Sequence, residues 1–410
     1  MTTPASAYDA ESPYAWRRLA LALLASTIGG VGMWSVVVVL PAVQQEFGVD
    51  RAGASFPYTL TMIGFGLGGI VMGRLSDRFG VLVPLALGGL LLGAGYLLAA
   101  NAASLGAFAW WQGLLVGVGS SAMFGPLVAD TSLWFTRRRG IAVAICASGN
   151  YLAGVVWPPL VQHFTATAGW RPTYAGVGVF CVLSLVPLAL LLRRRAPVLD
   201  AAGRGTAHAK RWPDRPLGLS RGALQTLLVI AGFACCVAMS MPQVHIVAYC
   251  GDLGYGAARG AAMLSLMLAF GIVSRLVSGW ISDRIGGLRT LLLGSALQGI
   301  ALVLFLPFDG LVALYVISAL FGLFQGGIVP SYAMIVRELF SPREAGWRVS
   351  TVLTATLFGM AVGGWMSGAI FDLTSSYRAA FVNGIAWNVL NVSIAVWLLR
   401  RPGLRPRLAT

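Results

Sequence analysis

Charged side chains are what this sequence lacks: they make up 10% of its 410 residues, against about 25% in a soluble globular domain. Too little polar surface remains to cover a water-facing globule, which excludes a soluble enzyme, a secreted module and a disordered tail. Acidic residues are the scarcer sign, 14 against 29 basic, and lysine occurs once, at Lys210. The five cysteines (Cys146, Cys181, Cys235, Cys236 and Cys250) show no metal-ligand spacing and read as small buried apolar side chains. No metal and no cofactor is expected. Met1 to Ser12 is polar and acidic, and no small-residue cleavage site follows a short apolar core. No cleavable signal is expected, and the first apolar run reads as a membrane helix.

What is present instead is apolar length. Hydrophobic residues form 57% of the chain and mean hydropathy is +0.79. Apolar runs fall near 17–40, 54–73, 81–100, 105–129, 140–161, 174–192, 222–248, 258–281, 288–306, 311–335, 347–371 and 379–399. Each is long enough to cross a hydrocarbon core of about 30 Å. The 52 glycines suit close helix contacts in lipid. An all-α membrane protein of twelve transmembrane helices is therefore predicted, with the bilayer rather than nucleic acid as the surroundings of its basic residues. With the N-terminus placed inside, twenty-four of the 29 basic residues fall in inner segments and four (Arg51, Arg171, Arg259 and Arg378) in outer ones. That asymmetry puts both termini in the cytoplasm, and the expected location is the cell (inner) membrane.

One long polar stretch, Arg193 to Arg221, divides twelve spans into six and six. The halves repeat: Gly73-Arg-Leu-Ser-Asp-Arg-Phe-Gly80 returns as Gly279-Trp-Ile-Ser-Asp-Arg-Ile-Gly286, 206 residues later. We expect a six-helix bundle over 1–192, a cytoplasmic linker over 193–221 and a second, pseudo-symmetric bundle over 222–410. Parallel six-helix repeats place a substrate site between them near the midplane. The doubled G-x-x-x-D-R-x-G turn resembles the major facilitator superfamily, over the whole chain. The resemblance implies a gating motif of Gly73, Asp77, Arg78 and Gly80, with Gly279, Asp283 and Arg284 in the second copy. Asp77 would latch the cytoplasmic side against the N-terminus of the eleventh span, near Gly346, through backbone N–H groups and the helix dipole. It also implies a monomer.

Three further stretches narrow the resemblance: Trp134-Phe-Thr-Arg-Arg-Arg-Gly-Ile-Ala with Ala147-Ser-Gly-Asn-Tyr-Leu-Ala-Gly154, Val244-His-Ile-Val-Ala-Tyr249, and Ser274-Arg-Leu-Val-Ser-Gly279. These are similar to the monocarboxylate-transporter and oxalate/formate-antiporter branch, which implies a small organic anion moved by proton symport or anion exchange. The sequence departs from that branch at three places. Gly271 stands where monocarboxylate transporters carry an acid. The first span has no lysine, and Thr354-Ala-Thr-Leu-Phe-Gly359 of the eleventh has none where oxalate antiporters carry one.

Arg275 is the basic residue left inside a span, about six residues or roughly 9 Å from the expected inner end. A cation at mid-bilayer costs at least about 2.5–3.5 kcal/mol, and no acid lies clearly inside any span; Asp130 falls at an inner end. An arginine without a counter-ion suits a carboxylate cargo, whose geometry its planar fork matches. The competing reading is an anchor that snorkels to the headgroups. Trp34, Asn150, Tyr151, Gln325 and Tyr332 lie in spans that line the cavity in the superfamily and join the candidate substrate site. His245, titrating in the physiological range, is the candidate proton carrier. Two other classes compete: an exporter of amphiphilic or cationic compounds, which would place an acid in the cavity, and a membrane enzyme or receptor, for which the spans offer no nucleophile and acid–base set.

Overall fold

The computed structural model describes residues 11–135, 138–195 and 216–401. Among them are twelve helices long and apolar enough to cross a membrane, and no strand. They are α1 (Pro13–Phe47), α2 (Arg51–Phe79), α3 (Leu82–Ala100), α4 (Leu105–Trp134), α5 (Arg139–Ala168), α6 (Trp170–Leu191), α7 (Arg221–Asp252), α8 (Ala257–Ile285), α9 (Gly287–Leu304), α10 (Leu311–Leu339), α11 (Pro342–Thr374) and α12 (Tyr377–Leu399). The fold is the all-α membrane architecture expected from hydropathy. Most of the linker, Lys210 included, lies outside the described residues, as does Arg137.

Helix ends follow local chemistry. Ser12, Asp50, Ser104 and Ser220 each accept a backbone N–H at the start of α1, α2, α4 and α7. Gly48 closes α1 in the left-handed conformation, which costs glycine little. Several spans run further than hydropathy alone marks. A charged residue can end an apolar run without ending the helix: α1 begins before Arg18, and α4 runs past Asp130 to Trp134. Three spans are broken, α1 at Gly30 among them. A π-helical stretch, Gln112–Gly117, interrupts α4, and Gly326-Gly327 interrupts α10.

Small residues set how the helices approach. A Cβ at Gly113 or Gly117 of α4 would meet α2 backbone, and one at Gly322 or Gly326 of α10 would overlap the Met267 or Gly271 carbonyl of α8. The outer faces are apolar, with Leu67, Trp110, Leu183, Val312 and Trp397 exposed, as a lipid-facing surface requires. All five cysteines are buried free thiols.

The first six helices meet the last six mainly along two pairs, α2 with α11 and α5 with α8. Both pairs are tight at the end of the molecule far from Pro13 and Leu399. In the first, Gly368 lies against the Arg51 backbone and Gly364 against Tyr58. Thr59 Oγ1 donates to the Ala361 carbonyl at 2.9 Å. In the second pair, Ser265 Oγ donates to the Val155 carbonyl at 2.6 Å, and Gly154 faces Leu268. Toward the termini-bearing end the helices part. A Cβ at Gly66 would still touch Leu357 at 3.4 Å, but Gly69, Gly73, Gly140, Gly279 and Gly346 have nothing within 4 Å of the space a side chain would take.

Candidate functional site

Arg275 sits where α5 and α8 diverge. It is ten residues before the end of α8 at Ile285, roughly 15 Å along the axis, and so deeper than the sequence boundaries suggest. Its Nη1 donates to the Ala147 carbonyl of α5 at 3.1 Å, and its guanidinium carbon lies 4.3 Å from the centre of the Tyr151 ring. The side chain therefore turns across to the first six helices, not along lipid toward the headgroups. Among the described residues no carboxylate pairs with it. Its Nε is buried without a hydrogen-bond partner. Nη1 is taken by Ala147, so the Nε–Nη2 edge, the side-on fork that receives one carboxylate through two parallel bonds, is left without a protein acceptor.

Gly271, one turn before Arg275, is a consequence of the same arrangement. A Cβ there would overlap the Tyr151 ring. The acid that the related branch carries at this position has no room beside that tyrosine. Its place near the guanidinium is taken by a π face, which stabilises a cation by about 0.5–2 kcal/mol but supplies no negative charge.

Of the remaining candidates, the structure brings Asn150 and Trp34 into the same neighbourhood. Trp34 Nε1 donates to the Asn150 backbone carbonyl at 3.1 Å, so the indole fastens α1 to α5. The Asn150 side chain is half-buried, and its Oδ1 faces Gly30 at the break in α1. Gln325 and Tyr332 are engaged within the last six helices. Gln325 Oε1 accepts from Gln243 Nε2 at 2.8 Å, and its Nε2 is buried without a partner. The Tyr332 hydroxyl donates to Asn391 at 2.8 Å, and Asn391 in turn donates to Ser295 at 2.7 Å. That buried chain ties α10, α12 and α9 together and fully occupies Tyr332. His245 is likewise fully buried. Its Nε2 bonds the Gly364 carbonyl at 2.8 Å, which makes Nε2 the donor and leaves Nδ1 a buried acceptor without a partner.

One expectation about charge is corrected. Arg275 is not the one arginine within the helices: Arg18, 3% exposed, lies inside α1 and pairs with Asp130 of α4, Nε to carboxylate, at 2.9 Å. Asp130 is thereby an acid inside a span, claimed by a partner 112 residues away. The distance in sequence is why no local pattern exposes the pair. The gating residues lie at the parted end. Asp77 and Arg78 are exposed, and Asp77 makes no hydrogen bond or ion pair among the described residues. Asp283 is exposed and Arg284 stacks on Trp280 at 3.5 Å. Gly73 and Gly279 face open space, while Gly80 adopts a left-handed φ of 80° at the turn. The latch expected at this end is disengaged, and the closed end is the opposite one.

That far end is held by residues that the sequence alone does not single out. Arg51, 6% exposed, donates through Nη2 to both oxygens of Asp252 at 3.0 and 3.2 Å and through Nη1 to the Tyr377 hydroxyl at 2.7 Å. The backbone N–H groups of Arg51 and Ala52 donate to the Asp372 carboxylate at 2.8 and 2.7 Å.

Comparison with known proteins agrees with this architecture. The family model described as Major Facilitator Superfamily matches residues 22–312 and 228–409, and the chain belongs to that superfamily. It is thus a multi-pass membrane transporter. Over 317 residues it is 29% identical to monocarboxylate transporter 13 of Bos taurus, covering 77% of this chain and 73% of that one. Over 344 residues it is 26% identical to the transporter YcxA of Bacillus subtilis, covering 81% and 82%. Among solved structures, a bacterial homologue of the human lysosomal transporter Spinster, captured inward-facing and occupied, superposes with a TM-score of 0.74. The identity is 15%, over 95% of this chain and 98% of that one.

Proposed function

We propose that this transporter carries a small organic anion with a single carboxylate across the cell's inner membrane, by alternating access of two six-helix bundles, residues 1–192 and 222–410. Both termini are placed in the cytoplasm, by the distribution of basic residues, and the parted end then opens inward. One observation carries the reading: the Nε–Nη2 edge of Arg275, at the apex of the parting between α5 and α8, has no protein acceptor. A carboxylate there would neutralise a cation that the low-dielectric interior otherwise penalises. Tyr151 would cover one face of the guanidinium while Asn150 offers a polar side chain beside it. The similarity to monocarboxylate transporters supports the same class of cargo.

The electrostatics favour anion exchange or movement of an anion with a proton over return of an empty carrier. With the cargo bound, rocking carries a neutral pair; without it, a bare guanidinium must cross the constriction. Asp130 does not supply the cavity acid that a cation exporter would need, because Arg18 already neutralises it. The test is counterflow of labelled monocarboxylates into liposomes holding the purified protein, with and without a pH gradient. Arg275→Ala is expected to abolish saturable uptake, and undiminished transport in that variant, or preferential binding of a lipophilic cation, refutes the assignment.

A further inference from the structure

α2 and α11 carry the same stripe. In α2 it reads Gly69, Gly73, Asp77, and in α11 Gly364, Gly368, Asp372, each four residues apart, so each set lies along one face of its helix. Each aspartate stands two residues before the helix ends, at Phe79 and at Thr374. The helices run in opposite directions, so each stripe leads toward the N-terminus of the other helix.

The α11 stripe is engaged. A Cβ on Gly364 would come to 3.1 Å from Tyr58, and one on Gly368 to 2.9 Å from the Arg51 carbonyl oxygen. That close seat brings Asp372 onto the first turn of α2. There it accepts the N–H groups of Arg51 and Ala52, while Asp50 takes that of Gly53 at 2.7 Å. Arg51 reinforces the contact by reaching Asp252 at the end of α7 and Tyr377 at the start of α12. The α2 stripe is vacant: Gly69 and Gly73 face open space and Asp77 is exposed without a partner among the described residues. The N-terminus of α11, where Asp77 would arrive, has a cap residue, Ser341, whose side chain makes no capping hydrogen bond.

We infer that Asp372 on the N-terminus of α2 closes the far end, as the counterpart of the latch that the superfamily resemblance implies for Asp77 on the N-terminus of α11, the two engaging one at a time. The same small-small-acid stripe serves both closures, because glycines allow the backbone approach and the carboxylate then finds orphan N–H groups at the positive end of a helix dipole. Asp372, Arg51 and Asp252 are positioning residues of the transport cycle. They act on the balance of conformations and do not touch the cargo, so the latch stands or falls independently of which compound is carried.

The test reads distances in full-length protein in nanodiscs without substrate, by electron–electron spin resonance. One label pair reports the far end (Ala103→Cys with Phe308→Cys) and another the termini-bearing end (Phe79→Cys with Ile285→Cys), all exposed positions. Asp372→Asn keeps the side-chain volume and removes the charge. It is expected to raise the ratio of far-end-open to termini-end-open molecules about tenfold, the size of two charge-assisted hydrogen bonds weakened. Asp252→Asn should move the ratio the same way by a smaller factor, and Asp77→Asn the opposite way. Unchanged distributions in Asp372→Asn, or shifts of the same sign in Asp372→Asn and Asp77→Asn, overturn the inference. Should Asp372→Asn not yield folded protein, the opposed shifts of Asp252→Asn and Asp77→Asn decide it.

Discussion

The Arg275 guanidinium rests on the Tyr151 ring, 4.3 Å from its centre, in a contact that joins the last six helices to the first six. The ring does what a counter-ion would do less completely. It screens the cation on one face and leaves the Nε–Nη2 edge without a protein acceptor. Replacing Tyr151 by phenylalanine preserves the face and should leave the KM for a monocarboxylate within about twofold. Tyr151→Ala removes a contact of about 0.5–2 kcal/mol and should raise KM severalfold, measured as initial uptake rates in liposomes.

Gly271 and Tyr151 are mutually dependent. Gly271→Ala places a methyl group in the ring and should strongly reduce transport, since overpacking costs typically about 1–3 kcal/mol and here displaces the ring on which Arg275 stacks. Tyr151→Ala in the same chain makes room for that methyl. The double variant is therefore expected to transport better than Gly271→Ala alone. Additive losses would show that the two positions do not interact.

Arg18 and Asp130 predict a stability effect without a specificity effect. The pair is buried, and two guanidinium nitrogens of Arg18 have no acceptor, so it contributes little net stability while intact. Removing one partner strands the other charge, at about 3–5 kcal/mol. Asp130→Ala and Arg18→Ala should each lower the thermal transition of the detergent-solubilised protein by several degrees. The paired apolar replacement, Arg18→Met with Asp130→Leu, should restore most of it.

His245→Asn separates a structural histidine from a proton carrier. The imidazole is sealed between Gly364 of α11 and the Tyr377 ring, whose centroid is 6.1 Å away, at the closed end. The variant should lose some thermal stability through the missing bond to Gly364 yet keep the dependence of uptake on a pH gradient. Loss of that dependence with intact counterflow would assign the proton to His245.

The parts of this protein legible in sequence are those set by local composition. Apolar runs mark the twelve spans, and the repeated Gly73–Gly80 and Gly279–Gly286 turns announce two copies of one unit. Arg275 is visible because a charge in an apolar run is a local anomaly. Tyr151 is a candidate by position, but its stacking on Arg275 and its exclusion of a side chain at Gly271 are not legible there. Arg51 shows the limit most clearly. In sequence it is one of four basic residues on the outer side, whereas in the fold it is buried among Asp252, Tyr377 and Phe371.

Hydropathy alone determined twelve membrane helices, because lipid tests each segment separately: a helix satisfies its own backbone and needs only enough apolar side chains to stay in the bilayer. The tertiary structure decided which charges are paired and which end is shut. Those outcomes depend on rigid helices meeting through space, as Asp372 meets Arg51 across 321 residues of chain. A stripe of glycines ending in aspartate is present twice in the sequence, and only the packing of α2 on α11 shows that one copy is engaged while the other stands open.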